Sequence, residues 1–140
     1  MLILEHGGRP IKGEFILIFI AFAVLCISAI GTEYTADYWV QQGNEFFSKG
    51  SYEVALDCYN KSIELDPRNA VSWNNKGLAL YYLGKYNETI RAYEKAIEID
   101  PQYADAWGGK GDALRILGEY NESVKAYENA IKINPIYEDS

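Results

Sequence analysis

Residues 39–67 read WVQQGNEFFSKGSYEVALDCYNKSIELDP, and the chain writes this stretch three times. Trp39, Trp73 and Trp107 stand 34 residues apart, and the same interval separates Gly43, Gly77 and Gly111. It recurs for Gly50, Gly84 and Gly118, for Tyr52, Tyr86 and Tyr120, and for Tyr59, Tyr93 and Tyr127. Ile63, Ile97 and Ile131 keep it too, as do Pro67, Pro101 and Pro135. A repeat of this length is one supersecondary unit that cannot bury its apolar face alone and therefore stacks on its copies. Within each copy the period is helical. Tyr38, Trp39, Gln42, Gly43 and Phe46 share a face at steps of three and four, and the glycine at 50, 84 or 118 suits a C-terminal cap with positive φ. A second helix starts at Tyr52, Tyr86 or Tyr120 and carries Ala55, Leu56, Tyr59 and Ile63 as its apolar stripe. It ends at the proline, which disfavours helix in the residue before it, and Asn69 offers a side-chain cap to the next helix. Gly43, Gly77 and Gly111 lie inside first helices, where glycine costs about 1 kcal/mol relative to alanine. That cost, repeated three times, implies close helix–helix approach. The expected fold is all-α, an α-solenoid of stacked helical hairpins.

The same columns resemble the tetratricopeptide repeat (TPR). Trp39, Gly43, Phe46, Ala55, Tyr59 and Pro67 stand at that family's tryptophan, glycine, first aromatic, alanine, second aromatic and proline. Trp73, Gly77, Thr89, Tyr93, Ala96 and Pro101 follow the pattern, as do Trp107, Gly111, Ser123, Tyr127, Ala130 and Pro135. Gln42, Lys76 and Lys110 replace the usual leucine, which predicts a half-exposed site with the lysine stems on the core. The resemblance implies three TPR units, residues 36–69, 70–103 and 104–137, before a short tail, 138–140. They would form a right-handed superhelix whose concave face binds a peptide or protein segment.

On the family's geometry, that concave wall runs through Asp37, Val40, Asn44, Phe47 and Ser48, then Val71, Asn74, Asn75, Leu78, Tyr81 and Tyr82, then Asp105, Gly108, Asp112, Arg115 and Ile116. The candidate binding residues are Val40, Asn44, Phe47, Asn74, Asn75, Leu78, Tyr81 and Arg115, with amides for a peptide backbone and Tyr and Leu for its side chains. Asn44, Asn75 and Tyr81 also agree with an average repeat of the family, so a generic groove and a tuned site both stay open. Some members hold a C-terminal carboxylate with two amides and several bases. Asn44 and Asn75 stand at the amide places, but Val40, Asp105 and Gly109 occupy the basic ones. A carboxylate facing Asp105 without those bases is repelled, so that ligand is not expected.

Composition narrows the function classes. The 140 residues hold one domain plus an appendage, with 49% apolar residues to build a core. Net charge is −7, and from Thr32 onward 18 acids and 11 bases give −7 again, so the acidity belongs to the repeats. Such a module has no electrostatic reason to hold phosphate backbones, which argues against nucleic acid. His6 is the only histidine, and no Ser/His/Asp set, phosphate loop or HExxH motif occurs. Cys58 shares its column with Ala92 and Ala126 and reads as a small buried residue, while Cys26 lies in an apolar run. The expectation is a non-catalytic scaffold with no cofactor and no metal.

Residues 1–14 form a tail in which Arg9 and Lys12 are balanced by Glu5 and Glu14. Phe15 to Gly31 then runs 17 residues without a charge, eleven of them Phe, Ile, Leu or Val. These contribute roughly −3 to −7 kcal/mol to insertion, and about 17 residues suffice to span a bilayer. A transmembrane helix at 15–31 is expected, with the N-terminus cytoplasmic because Arg9 and Lys12 precede it while Glu33 and Asp37 follow. Ala29-Ile30-Gly31 is a small-x-small site, so a secreted, self-associating module cleaved after Gly31 is the alternative. A third reading is an accessory subunit of a membrane complex. Outside the cell, the Asn-x-Ser/Thr sequons at Asn60, Asn87 and Asn121 become candidate glycosylation sites. The last second helix carries Tyr127 and Ile131 toward a repeat that the sequence does not supply, which predicts a terminal interface, with a second copy as homodimer or with a partner subunit.

Overall fold

The computed structural model describes residues 34–136. Six helices follow one another: α1 (Ala36–Ser48), α2 (Tyr52–Leu65), α3 (Ala70–Tyr82), α4 (Tyr86–Ile99), α5 (Ala104–Ile116) and α6 (Tyr120–Ile133). They pack as the hairpins α1/α2, α3/α4 and α5/α6, and each hairpin stacks on the next through α2/α3 and α4/α5. First helices also touch one another, α1 with α3 and α3 with α5, which lines them up along one wall of the solenoid. The expected transmembrane helix at 15–31, with Cys26, Gly31 and the tail carrying His6, lies outside the described residues. Among the described residues, no helix is long and apolar enough to cross a membrane.

Local chemistry sets the helix ends. Thr35 Oγ1 accepts from Tyr38 N at 3.2 Å and Asn69 Oδ1 from Ser72 N at 3.0 Å, each satisfying one of the first-turn donors. At the other end Gly50, Gly84 and Gly118 take φ of 75°, 75° and 81°. In the first hairpin Gly50 N then donates to Phe47 O at 2.9 Å and Ser51 N to Phe46 O at 3.0 Å, which closes the helix and turns the chain.

A tyrosine wedge holds each hairpin together. A Cβ on Gly43 would collide with the Tyr59 ring, and one on Gly77 would stand 2.9 Å from the Tyr93 ring, so the glycines let the paired helices close on an aromatic plate. Tyr59 packs with Ala55 and Ala79, and Tyr93 with Ala96 and Ala106, so each plate also seals the junction to the next hairpin. The tryptophans serve differently from simple core residues. All three are half-buried. Trp73 Nε1 donates to Pro67 O at 2.9 Å and Trp107 Nε1 to Pro101 O at 3.1 Å, while Lys76 and Lys110 lie 5.2 and 5.9 Å above their rings. The lysine column is thus half-buried against tryptophan, with burial pushing the Lys76 ammonium below its usual pKa.

Candidate functional site

The first helices present one face to the concave side, and reading that face repeat by repeat shows how it changes. Position by position the columns run Val40–Asn74–Gly108, Gln41–Asn75–Gly109, Asn44–Leu78–Asp112 and Phe47–Tyr81–Arg115. Side chains shrink along the first two columns, so α5 carries none at Gly108 and Gly109 where α1 and α3 do, and the Tyr93 ring packs over Gly109. A groove of about 950 Å³ opens there. Asn74, Leu78, Tyr81 and Tyr82 of α3 form one bank; Asp105, Gly108, Gly109, Asp112 and Arg115 of α5 form the other; Tyr93, Tyr127 and Ile131 complete it.

Six of the residues expected from sequence meet in this groove: Asn74, Leu78, Tyr81, Arg115, Tyr127 and Ile131. Tyr127 and Ile131, expected at a terminal interface, line this groove. Tyr127 is half-buried and its hydroxyl donates to Asp112 Oδ1 at 2.7 Å, which turns the ring toward the concave wall. The four others lie apart from the groove. Val40, 9% exposed, is buried on α1. Asn44 and Asn75 are tied into the fold: Asn44 Oδ1 accepts from Tyr59 Oη at 2.8 Å and from Asn75 Nδ2 at 3.0 Å, and Asn75 Oδ1 accepts from Asn74 Nδ2 at 3.1 Å. These amides are a structural clasp rather than a free row of peptide-backbone partners. Phe47 belongs to an aromatic ladder along the groove's outer edge, 5.1 Å from Tyr52 and 5.4 Å from Tyr82, with Tyr52 and Tyr82 stacked at 4.9 Å.

Among the groove residues, Tyr93 escaped the sequence reading, and Gly109 entered it only as an occupant of a basic place in the carboxylate clamp. Tyr93 sits in the tyrosine column, which reads as core, yet its column partner in α3 is Leu78 where Tyr59 has Asn44 and Tyr127 has Asp112. That missing acceptor is the difference the sequence shows at this column. A Cβ at Gly109 would collide with the Tyr93 ring, so glycine there is what lets α5 seat against it.

The groove's electrostatics are acidic on balance. Asp105 and Asp112 face it with Arg115, whose Nη2 is 3.8 Å from Asp112 Oδ1. Burial raises the pKa of Tyr93 strongly, and the carboxylates of Asp112 and Asp105 push the same way. Tyr127 is also raised, first by burial and then by its hydrogen bond to Asp112. No three His, Cys, Asp or Glu side chains cluster as metal ligands among the described residues. Cys58 is buried, and that burial raises its thiol pKa.

The sequons acquire a second meaning. Asn87 and Asn121 are exposed at the starts of α4 and α6, and Asn60 is half-buried on α2. Their hydroxyl partners are structural: Thr89 Oγ1 donates to Lys85 O at 3.1 Å, Ser123 Oγ to Gly111 O at 2.8 Å, and Ser62 Oγ pairs with Ser72 Oγ at 2.6 Å.

Comparison with known proteins agrees with this geometry. The tetratricopeptide repeat model matches residues 70–103 and 104–137, and a TPR repeat model matches residues 43–84. Thirty-six residues are 47% identical to the small glutamine-rich tetratricopeptide repeat-containing protein beta of Homo sapiens, covering 26% of this chain and 12% of that protein. Thirty-one are 45% identical to human RNA polymerase II-associated protein 3, covering 22% and 5%. The chain therefore matches only a small part of each curated relative's length. Among solved structures, the second TPR domain of Spaghetti (RPAP3), bound to the HSP90 peptide SRMEEVD, superposes with a TM-score of 0.71 at 31% identity, covering 76% of this chain and 99% of that one. MamA does so at 0.70 and 25% identity, covering 76% and 63%.

Proposed function

Because the chain belongs to the tetratricopeptide repeat family, we propose that it is a scaffold without chemistry of its own, which holds a segment of a partner protein in the groove between α3 and α5. The observation that carries this reading is the groove itself. Tyr82 is 55% exposed on its bank, beside half-buried Tyr81 and Leu78, so rigid aromatic surface lies open where a segment can dock. Aromatic anchors of this kind concentrate binding energy because they bury large area with little loss of freedom. The relatives' peptide supports the mode of binding rather than the sequence bound.

The membrane location belongs to the same proposal. The uncharged run Phe15 to Gly31 supports an anchor that leaves the repeats outside the cytoplasm. An interface at the end of the solenoid, with a second copy or a partner subunit, is supported by exposed Tyr120 and Val124, 66% and 54% exposed.

Site-specific photocrosslinking tests the groove. A benzophenone side chain at Tyr82 should capture a partner segment in native membranes, and one at Glu98, whose side chain points away from the groove, should not. Equal capture from both positions would sink the groove assignment. Carbonate extraction tests the anchor: a chain released to the supernatant and beginning at Thr32 would replace it with the secreted form.

A further inference from the structure

We infer that the groove between α3 and α5 selects an extended partner segment bearing a basic side chain, whose cation is drawn to the carboxylates of Asp105 and Asp112 on the α5 bank. This rests on the groove reading above and names its ligand class. Asp105 and Asp112 lie seven residues apart on one helix, two turns and about 10 Å along its axis. Between them on the groove side stand Gly108, which puts no side chain on the bank, and Gly109, whose face is taken up by the Tyr93 ring. The opposite bank offers Leu78, Tyr81 and Tyr82. Lysine and arginine match this pairing of surfaces, with an apolar stem for the aliphatic and aromatic bank and a charged head for the carboxylates. Tyrosine faces add attraction for a cation.

An acidic segment meets the reverse. Arg115 is the one base lining the groove, and it stands 3.8 Å from Asp112, its own carboxylate neighbour. Both carboxylates act at the groove floor, since each opposes ionisation of Tyr93 after burial has done so. The groove lining carries two carboxylates to one guanidinium, so a glutamate placed there meets a net negative charge. The acidity of the repeats, with 18 acids to 11 bases from Thr32 onward, adds a longer-range field of the same sign. The acidic peptide SRMEEVD carried by the Spaghetti domain is therefore the wrong charge for this groove.

The experiment pans a random heptapeptide library against the full chain in detergent micelles and measures the enriched peptides by fluorescence anisotropy. Enriched sequences should carry Arg or Lys and lack Asp and Glu. A representative should bind about tenfold tighter than the same peptide with its base replaced by glutamate, the size of one or two near-surface charge pairings. Asp105→Asn should remove part of that preference and Asp105→Lys should reverse it, both with unchanged helicity by circular dichroism. Added salt should weaken the basic peptide selectively. A library that enriches acidic or charge-neutral peptides, or tight binding of SRMEEVD, overturns the charge preference while leaving the groove in place if Tyr82→Ala still abolishes binding. Peptides that bind Tyr82→Ala unchanged, or a library that enriches nothing, overturn the groove reading and this inference together.

Discussion

The two junctions between hairpins occupy the same columns of the repeat and are built from different chemistry. The first, between α2 and α3, is stitched by polar side chains. Ser62 Oγ meets Ser72 Oγ at 2.6 Å in a buried site, and Asn44 Oδ1 gathers both Tyr59 Oη and Asn75 Nδ2. At the second, between α4 and α5, the matching positions are Ala96 and Ala106, Leu78 and Gly109. Nothing there can make the first junction's hydrogen bonds, and contact is between small apolar surfaces and the Tyr93 plate. Both arrangements seal the stack equally well, since Tyr59 and Tyr93 are each 2% exposed. They differ in what they leave over. The polar clasp fills the concave wall with amides bonded to one another, whereas the glycine junction leaves it open as a groove.

The largest expected effect breaks the second junction outright. Tyr93→Ala removes the plate shared by two hairpins and should destabilise the chain by about 3–5 kcal/mol, a large share of what a domain of this size holds. Tyr127→Ala, in the same column but half-buried, should cost clearly less. Urea titration followed by circular dichroism compares them, and equal losses would remove the distinction between shared and terminal plates.

Writing the first junction's residue into the second comes next. Gly109→Asn places side-chain atoms where the Tyr93 ring already stands, so it should cost about 1–3 kcal/mol by overpacking. It should also narrow the groove. A stable variant with wild-type peptide affinity would show that the seating of Tyr93 on Gly109 does not shape the groove.

The serine pair makes the converse exchange. Ser62→Ala leaves the Ser72 hydroxyl buried without its partner and should cost about 1–3 kcal/mol. The double change Ser62→Ala with Ser72→Ala writes in the second junction's alanines and should recover most of that loss. A double-mutant cycle reads the coupling directly. Additive losses would mean that the two hydroxyls do not interact.

The smallest effects concern the phenols. Tyr59→Phe gives up the bond to Asn44 and should cost about 0.5–1.5 kcal/mol, while Tyr93→Phe, opposite Leu78, should cost close to nothing. Burial pushes the Tyr59 phenol up to about 12 from 10, and Tyr93 moves in the same direction. In the unfolded chain these phenols ionise from about pH 10, before the folded ones do. Their contribution is therefore intact below pH 10 and lost as pH rises from 10 through about 12. Melting temperatures across that window should fall less steeply in Tyr59→Phe than in the parent chain.

The sequence by itself determined the repeat, the six helices, the turn at each positive-φ glycine and the close approach at Gly43, Gly77 and Gly111, because these follow from spacing and from the steric demands of single residues. Periodicity along one helix says which residues share a face, and the family resemblance is what assigned the face of Leu78, Tyr81 and Arg115 to the concave wall. Periodicity could not say which neighbours a polar group would find. That Asn44 bonds both Tyr59 and Asn75, and that Tyr127 turns to Asp112, depend on distances between residues 15 to 31 positions apart in the chain. The acidic groove arises in the same way. Its banks come from two first helices whose separation is fixed by the Tyr93 plate packed behind them, and only the stacked structure sets that distance.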